Sequence, residues 1–167
     1  MLSQEVVDLA NYRLNQAKDN IEEAEMLFTA NKFKGASNRA YYAIFHAIKA
    51  VLALEQKDFK KHSSVIAYFN QEYISKEVFP RDLGKDITNI RLYREKSDYV
   101  DFYIITKEDC RIQIDKSKNI VSSIEKYLGN LAIDHFYSEE NMKYLKKAIK
   151  DLDEGKGVEH DLIEVED

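Results

Sequence analysis

The 167-residue chain is short of cysteine, proline and glycine, with one, one and five of them. A lone Cys110 allows no internal disulfide, which fits a reducing interior and removes the disulfide-stapled secreted folds. With Pro80 as the only proline and so few glycines, long stretches run without a strong breaker, and helices are favoured. No run approaches the roughly 18 apolar residues of a membrane span. The opening Met1-Leu2-Ser3-Gln4-Glu5 has neither the basic nor the apolar region of a secretory signal. The expected location is the cytoplasm, with no membrane partner. Gly-rich phosphate loops, paired cysteines and His-Glu-x-x-His are also missing, so no metal site and no cofactor is expected.

What is present is 44% apolar and 33% charged, the composition of a globular domain rather than a disordered chain. The net charge of -5 is unevenly spread. Residues 134–167 hold 5 basic and 11 acidic side chains, and residues 1–133 hold 20 and 19. A near-neutral body therefore carries an acidic tail, which suits a basic partner or serves solubility alone. Neither part has the basic footprint of a duplex-DNA binder.

The apolar spacing predicts helices throughout the body. Val6, Leu9, Leu14, Ala17, Ile21, Ala24 and Leu27-Phe28 repeat at threes and fours over about 3–30. A second helix, about 36–54, is apolar almost all round and belongs at the centre of a bundle. A third covers about 62–73, with Val65, Ile66 and Phe69 inward, and Phe79-Pro80 interrupts the chain. A fourth covers about 83–97, and residues 99–105 read as irregular. Thr106 is a good N-cap for a fifth helix that Gly129-Asn130 would stop near Leu128. No strand alternation appears before residue 155. The expected fold is all-α, an up-and-down bundle of four to five helices over 1–133.

The segment 134–167 reads as a separate unit. Ser138 is a candidate N-cap, and Tyr137 with Met142 sits at the spacing of a hydrophobic staple. Met142, Leu145, Ile149 and Leu152 form one narrow stripe on a short helix, and Gly155-Lys156-Gly157 ends it. Residues 158–165 read as extended, with Leu162 and Ile163 among acids. So short a helix is marginal alone in water and needs something to dock on.

Two constellations could carry chemistry. Asn38, Tyr42, Phe45 and Lys49 share one face of the second helix, and Arg39 and His46 lie two turns apart on it. These residues make either a polar pocket or a structural network, with Arg39 on an acid such as Asp98 and His46 on a tyrosine hydroxyl. Arg91, Arg94 and Asp98 share a face of the fourth helix. Arg94 and Asp98 suit a local ion pair, while the two arginines could hold a phosphate. His62, after Lys60-Lys61, could contribute to an anion site or to a charged loop.

The run Asn38-Arg39-Ala40-Tyr41-Tyr42-Ala43-x-Phe45-His46, followed by His62 and by Arg94-x-x-x-Asp98-Tyr99, resembles the HEPN family over about 8–128. The resemblance implies a helical bundle that dimerises through its motif helices, binds nucleotide or RNA, and belongs to toxin–antitoxin or defence loci. It also implies a small nucleotidyltransferase as a possible partner. Arg39, Tyr42, His62, Arg91, Asp98 and Tyr99 are then the nucleotide- or RNA-binding candidates. The ribonuclease branch has Arg, four to six residues, then His; here Arg94 is followed at that place by Tyr99. A composite site of Arg94 with His46 is the catalytic alternative.

The tail, from Phe136-Tyr137-Ser138-Glu139-Glu140 to Leu162-Ile163-Glu164, resembles the toxin-binding end of Phd/YefM- and RelB-type antitoxins. That implies a RelE/ParE-type toxin as partner of 134–167, held by Phe136, Tyr137, Met142, Leu145, Ile149, Leu152, Leu162 and Ile163.

Overall fold

The computed structural model describes residues 3–136 and 139–154, with the side chains of 132–141, 152 and 153 outside that description. Every regular element among the described residues is helical: α1 Gln4–Thr29, α2 Phe33–Leu54, α3 His62–Phe69, α4 Arg81–Tyr99, α5 Lys107–Phe136 and α6 Glu139–Asp153. The chain divides into two compact units at Leu128 and Gly129.

In the first unit α2 is the central element, as its all-round apolar sequence predicts. Ala40, Ala43, Ile44, Ala47, Ile48, Val51 and Leu52 are essentially without solvent exposure. The alanines let neighbouring helices approach closely, and the isoleucines fill the space between α2 and Phe69, Ile87, Ile90 and Ile124. A large-to-small change at such a site costs about 2–5 kcal/mol.

Local chemistry sets the ends. The Ser3 hydroxyl accepts from the Val6 amide at the start of α1. The Thr106 hydroxyl accepts from the Asp109 amide at 3.0 Å and donates to the Asp109 carboxylate at 2.8 Å. Thr106 therefore caps α5 as its sequence position predicts.

Two boundaries differ from expectation. The third helix does not run evenly to Tyr73: at Asn70–Ile74 it widens into a single π-turn. The π-turn packs against α4 at Gly84, where a Cβ would stand 2.8 Å from Cγ2 of Ile74. Apolar spacing does not report such a widening, because Tyr73 and Ile74 stay buried through it. The fifth helix does not stop at Gly129-Asn130 but continues to Phe136. An exposed glycine weakens a helix by about 1 kcal/mol without breaking it.

The second unit contains α6. Met142 and Leu145 are half-buried, and Tyr144 and Ile149 are 70% and 58% exposed. The expected N-cap Ser138, the staple residue Tyr137 and the stretch 155–167, with Leu162 and Ile163, lie outside the described residues, as do the side chains of Phe136 and Leu152.

Candidate functional site

The α2 motif has two working faces. Tyr41 and Phe45, one turn apart, meet α3 and α4. Arg39, Tyr42 and His46 meet α1.

On the first face His62, the opening residue of α3, is held by rings. Its imidazole stacks on Phe45 with centroids 3.9 Å apart and meets Tyr42 edge-on at 5.9 Å. Its Nδ1 is 3.3 Å from the Tyr41 hydroxyl, within hydrogen-bond reach. Arg94 of α4 lies over the Tyr41 ring at 5.4 Å, and its terminal nitrogen is 3.1 Å from Asp98. The Arg94 Nε is buried and has no hydrogen-bond partner. Lys49 lies 5.8 Å over Phe45 and pairs with Asp58 at 3.1 Å. Arg13 donates to the Lys49 carbonyl at 2.9 Å.

This packing sets the protonation states. Burial, reinforced by the charges of Arg94 and Lys49, lowers the His62 pKa from its ordinary value. Burial, then Lys49, Arg13 and His62, lowers that of His46. Both imidazoles are therefore held toward their neutral form. Burial raises the Tyr41 hydroxyl, against the pull of Arg94 and Arg91. The face therefore joins a fixed cation, whose Nε is buried and unpartnered, with an imidazole of lowered pKa and aromatic rings. Such a set can hold a phosphate, stack a base and accept a proton.

On the second face a cleft of about 550 Å³ opens between α1 and α2, lined by Asp19, Glu23, Asn38, Arg39, Tyr42 and His46. The Arg39 Nε is 3.1 Å from Glu23, and Nη1 is 3.4 Å from the Asn20 side-chain oxygen.

The partners differ from several expectations. Arg39 pairs with Glu23 and not with Asp98, which pairs with Arg94 one helical turn away. The tyrosine hydroxyl sought for His46 is found on His62. Arg94 bears on His62, whereas the charges acting on His46 are Lys49, Arg13 and His62. Arg94 and His62 both meet Tyr41, the one over its ring and the other at its hydroxyl. Arg91 is occupied by Glu95 at 2.7 Å, and Tyr99 is 80% exposed at the end of α4. Tyr41 was absent from the candidate set; its place between Tyr42 and His62 follows only from the packing of α2 on α3 and α4. Among the described residues no group of three or more His, Cys, Asp or Glu side chains is gathered to hold a metal, and no helix is long and apolar enough to cross a membrane.

An all-helical bundle with the motif histidine, tyrosines and arginine meeting across α2, α3 and α4 defines the class: residues 10–127 match the HEPN domain, and the chain belongs to the HEPN family. Among its relatives, the "UPF0332 protein" of Thermotoga maritima is 28% identical over 74% of this chain and 93% of its own length. Two proteins of Methanocaldococcus jannaschii bear toxin names. "Putative toxin MJ0605" is 30% identical over 78% of this chain and 97% of its own length. "Putative toxin MJ0142" is 29% identical over 69% and 78%.

Proposed function

We propose that this chain is the RNA-binding HEPN component of a toxin–antitoxin system, and that its bundle holds a ribonucleotide phosphate at Arg94. The observation that carries the reading is the Arg94 guanidinium, whose buried Nε is unpartnered and which meets Tyr41 together with His62. A phosphate oxygen would meet the partly exposed end of the Arg94 guanidinium, and the tyrosine and phenylalanine rings would stack a base irrespective of sequence. The toxin names of two relatives support the biological setting. Fluorescence anisotropy with a single-stranded RNA pentamer tests the site. Binding that weakens with salt and falls at least tenfold in Arg94→Ala is expected; equal binding by the variant overturns the reading.

A second reading, metal-independent RNA cleavage, is favoured by His62 itself. Its imidazole is held toward its neutral form and lies within reach of the hydroxyl of Tyr41, over whose ring Arg94 lies. His62 would take the 2′-hydroxyl proton as the 2′-oxygen bonds to phosphorus and the P–O5′ bond breaks, the leaving 5′-oxygen taking a proton from water to leave a 2′,3′-cyclic phosphate and a 5′-hydroxyl, while Arg94 steadies the phosphate. RNA cleavage in the presence of a chelator, lost in His62→Gln, would establish it.

The proposal extends to partners. α6 presents an apolar stripe through Met142, Leu145 and the exposed Ile149, the pattern of a helix that lies in a groove. A basic RelE/ParE-type toxin is the proposed occupant. Leu145→Asp and Ile149→Asp in the full chain should abolish co-purification with such a toxin. The exposed edge of Tyr99, Val100, Phe102 and Ile104 is proposed to meet a second copy of the chain. Sedimentation should give a dimer that Phe102→Asp dissociates.

A further inference from the structure

The cleft between α1 and α2 is joined to the Arg94 face by one residue. Tyr42 lines the cleft, and its ring meets His62 edge-on. A run of rings, Tyr42 on Tyr41 at 5.5 Å and Tyr41 under Arg94 at 5.4 Å, links the cleft to the Arg94 guanidinium.

The chemistry of the cleft is opposite to that of a phosphate site. Its one permanent cation, Arg39, is already engaged by Glu23 and Asn20. His46 is held toward its neutral form, because burial lowers its pKa. What remains unanswered are acceptors. The Asn38 side-chain oxygen is buried with no hydrogen-bond partner. Asp19 has no ion-pair or hydrogen-bond partner among the described residues. Asn20, which is only 6% exposed, holds the floor by donating to the Gln16 carbonyl at 2.7 Å. The unanswered buried oxygen of Asn38, beside the exposed carboxylate of Asp19, favours a ligand that brings N–H groups.

Resting on the RNA-binding reading, we propose that this cleft is a nucleobase pocket that selects bases with an exocyclic amino group. Asp19 and Asn38 accept from that group, and the Tyr42 ring lies against the base. Adenine, cytosine and guanine each offer an amino group. Uracil offers a single N–H flanked by two carbonyls, which the Asp19 carboxylate repels. Asp19 and Asn38 are specificity-determining residues in this scheme, and Arg94 is the affinity-determining one. The cleft volume of about 550 Å³ is ample for one base.

The test uses the full chain and labelled RNA pentamers UUNUU, with N as A, C, G or U, in anisotropy titrations. At least one amino-bearing pentamer should bind about tenfold more tightly than UUUUU. Asp19→Asn should erase most of that preference by raising the affinity for UUUUU, and Asn38→Ala by lowering that for the amino-bearing pentamer. Both sites are tolerant of change: Asp19 is exposed on α1, and alanine is a better helix former than asparagine at 38. Circular dichroism checks that each variant is folded. Arg94-dependent binding with equal affinity for all four pentamers overturns the base pocket and leaves the RNA reading standing. A preference that survives both substitutions also overturns it. No binding of any pentamer overturns the RNA reading and the pocket together.

Discussion

Two clusters of charge in the bundle are built on opposite principles. Between α1 and α5, Glu25 receives Arg111 through two hydrogen bonds of 2.7 and 2.9 Å and Lys118 at 2.5 Å. Arg111 also stacks on the Phe28 ring at 3.9 Å. Every charge there is answered from within the fold, and the Arg111 hydrogen bond, with Lys118, holds the Glu25 carboxyl down at about 2. On the two motif faces, by contrast, Arg94 keeps an unpartnered Nε and Asn38, in the α1–α2 cleft, an unpartnered oxygen, while burial and nearby cations lower the pKa of His62 and His46. A fold left to maximise stability would close such groups with partners. Buried atoms without partners also occur at Asn70, Gln113 and Ser117; the motif face is set apart by the cation, imidazole and rings gathered at it, and the α1–α5 cluster by the saturation of its charges.

The largest effect that separates the two belongs to the arginines. Arg94→Ala should lower affinity for single-stranded RNA by one to two orders of magnitude, the scale of charge-assisted bonds. It should leave urea stability within about 1 kcal/mol, since its ion pair with Asp98 is a helical-turn pair at a partly exposed site. Arg111→Ala should do the reverse: RNA binding unchanged, stability lower by about 1–2 kcal/mol through the lost fork and ring contact. Equal effects of the two variants on binding would erase the distinction.

The pH dependence sharpens it. Glu25 has a depressed pKa, so its contribution is present above the ordinary value of 4.5 and is lost as pH falls toward about 2. His62 and His46 also have depressed pKa values, but as bases they act differently. Below their ordinary 6.5 the unfolded chain takes up protons that the folded chain refuses. Stability should therefore fall as pH drops from 7 to 5.5, by an amount that His62→Gln reduces. Urea melts at pH 7.0, 6.2 and 5.5 measure the slope, and Glu25→Gln should leave that window unchanged while flattening the loss below pH 4.5.

Local rules of this kind were legible in the sequence, and long-range ones were not. The all-round apolar run of α2, the Thr106 cap and the irregular stretch before it follow from spacing and side-chain chemistry within a few residues. The i,i+4 pair of Arg94 with Asp98 is local in the same sense. Arg39 finding Glu23, or His62 finding Tyr41, requires knowing which helix face meets which neighbour, and nothing in either segment carries that. The motif placed Arg94 and two histidines in one family site, yet only packing decides that His62 is the one that shares Tyr41 with Arg94. The π-turn at Asn70–Ile74 was invisible for a different reason: it preserves the burial pattern that a regular helix would show.

The smallest expected effect concerns the backbone that leads out of the site. Phe102 is fully exposed and sits at φ 62°, a left-handed conformation that a bulky side chain adopts at a cost. Among the described residues no packing offsets that cost, since the ring is fully exposed. Phe102→Gly should relieve it, with part of the gain cancelled by the greater freedom of glycine in the unfolded chain. The net expectation is a gain of about 0.5 kcal/mol in urea melts of the isolated protein. If the Tyr99–Ile104 edge meets a second copy, the same variant should weaken the dimer in sedimentation while its folded subunit grows more stable. Opposite signs in the two measurements would mark Phe102 as a residue kept for contact at the expense of the fold, on the same side of the comparison as Arg94.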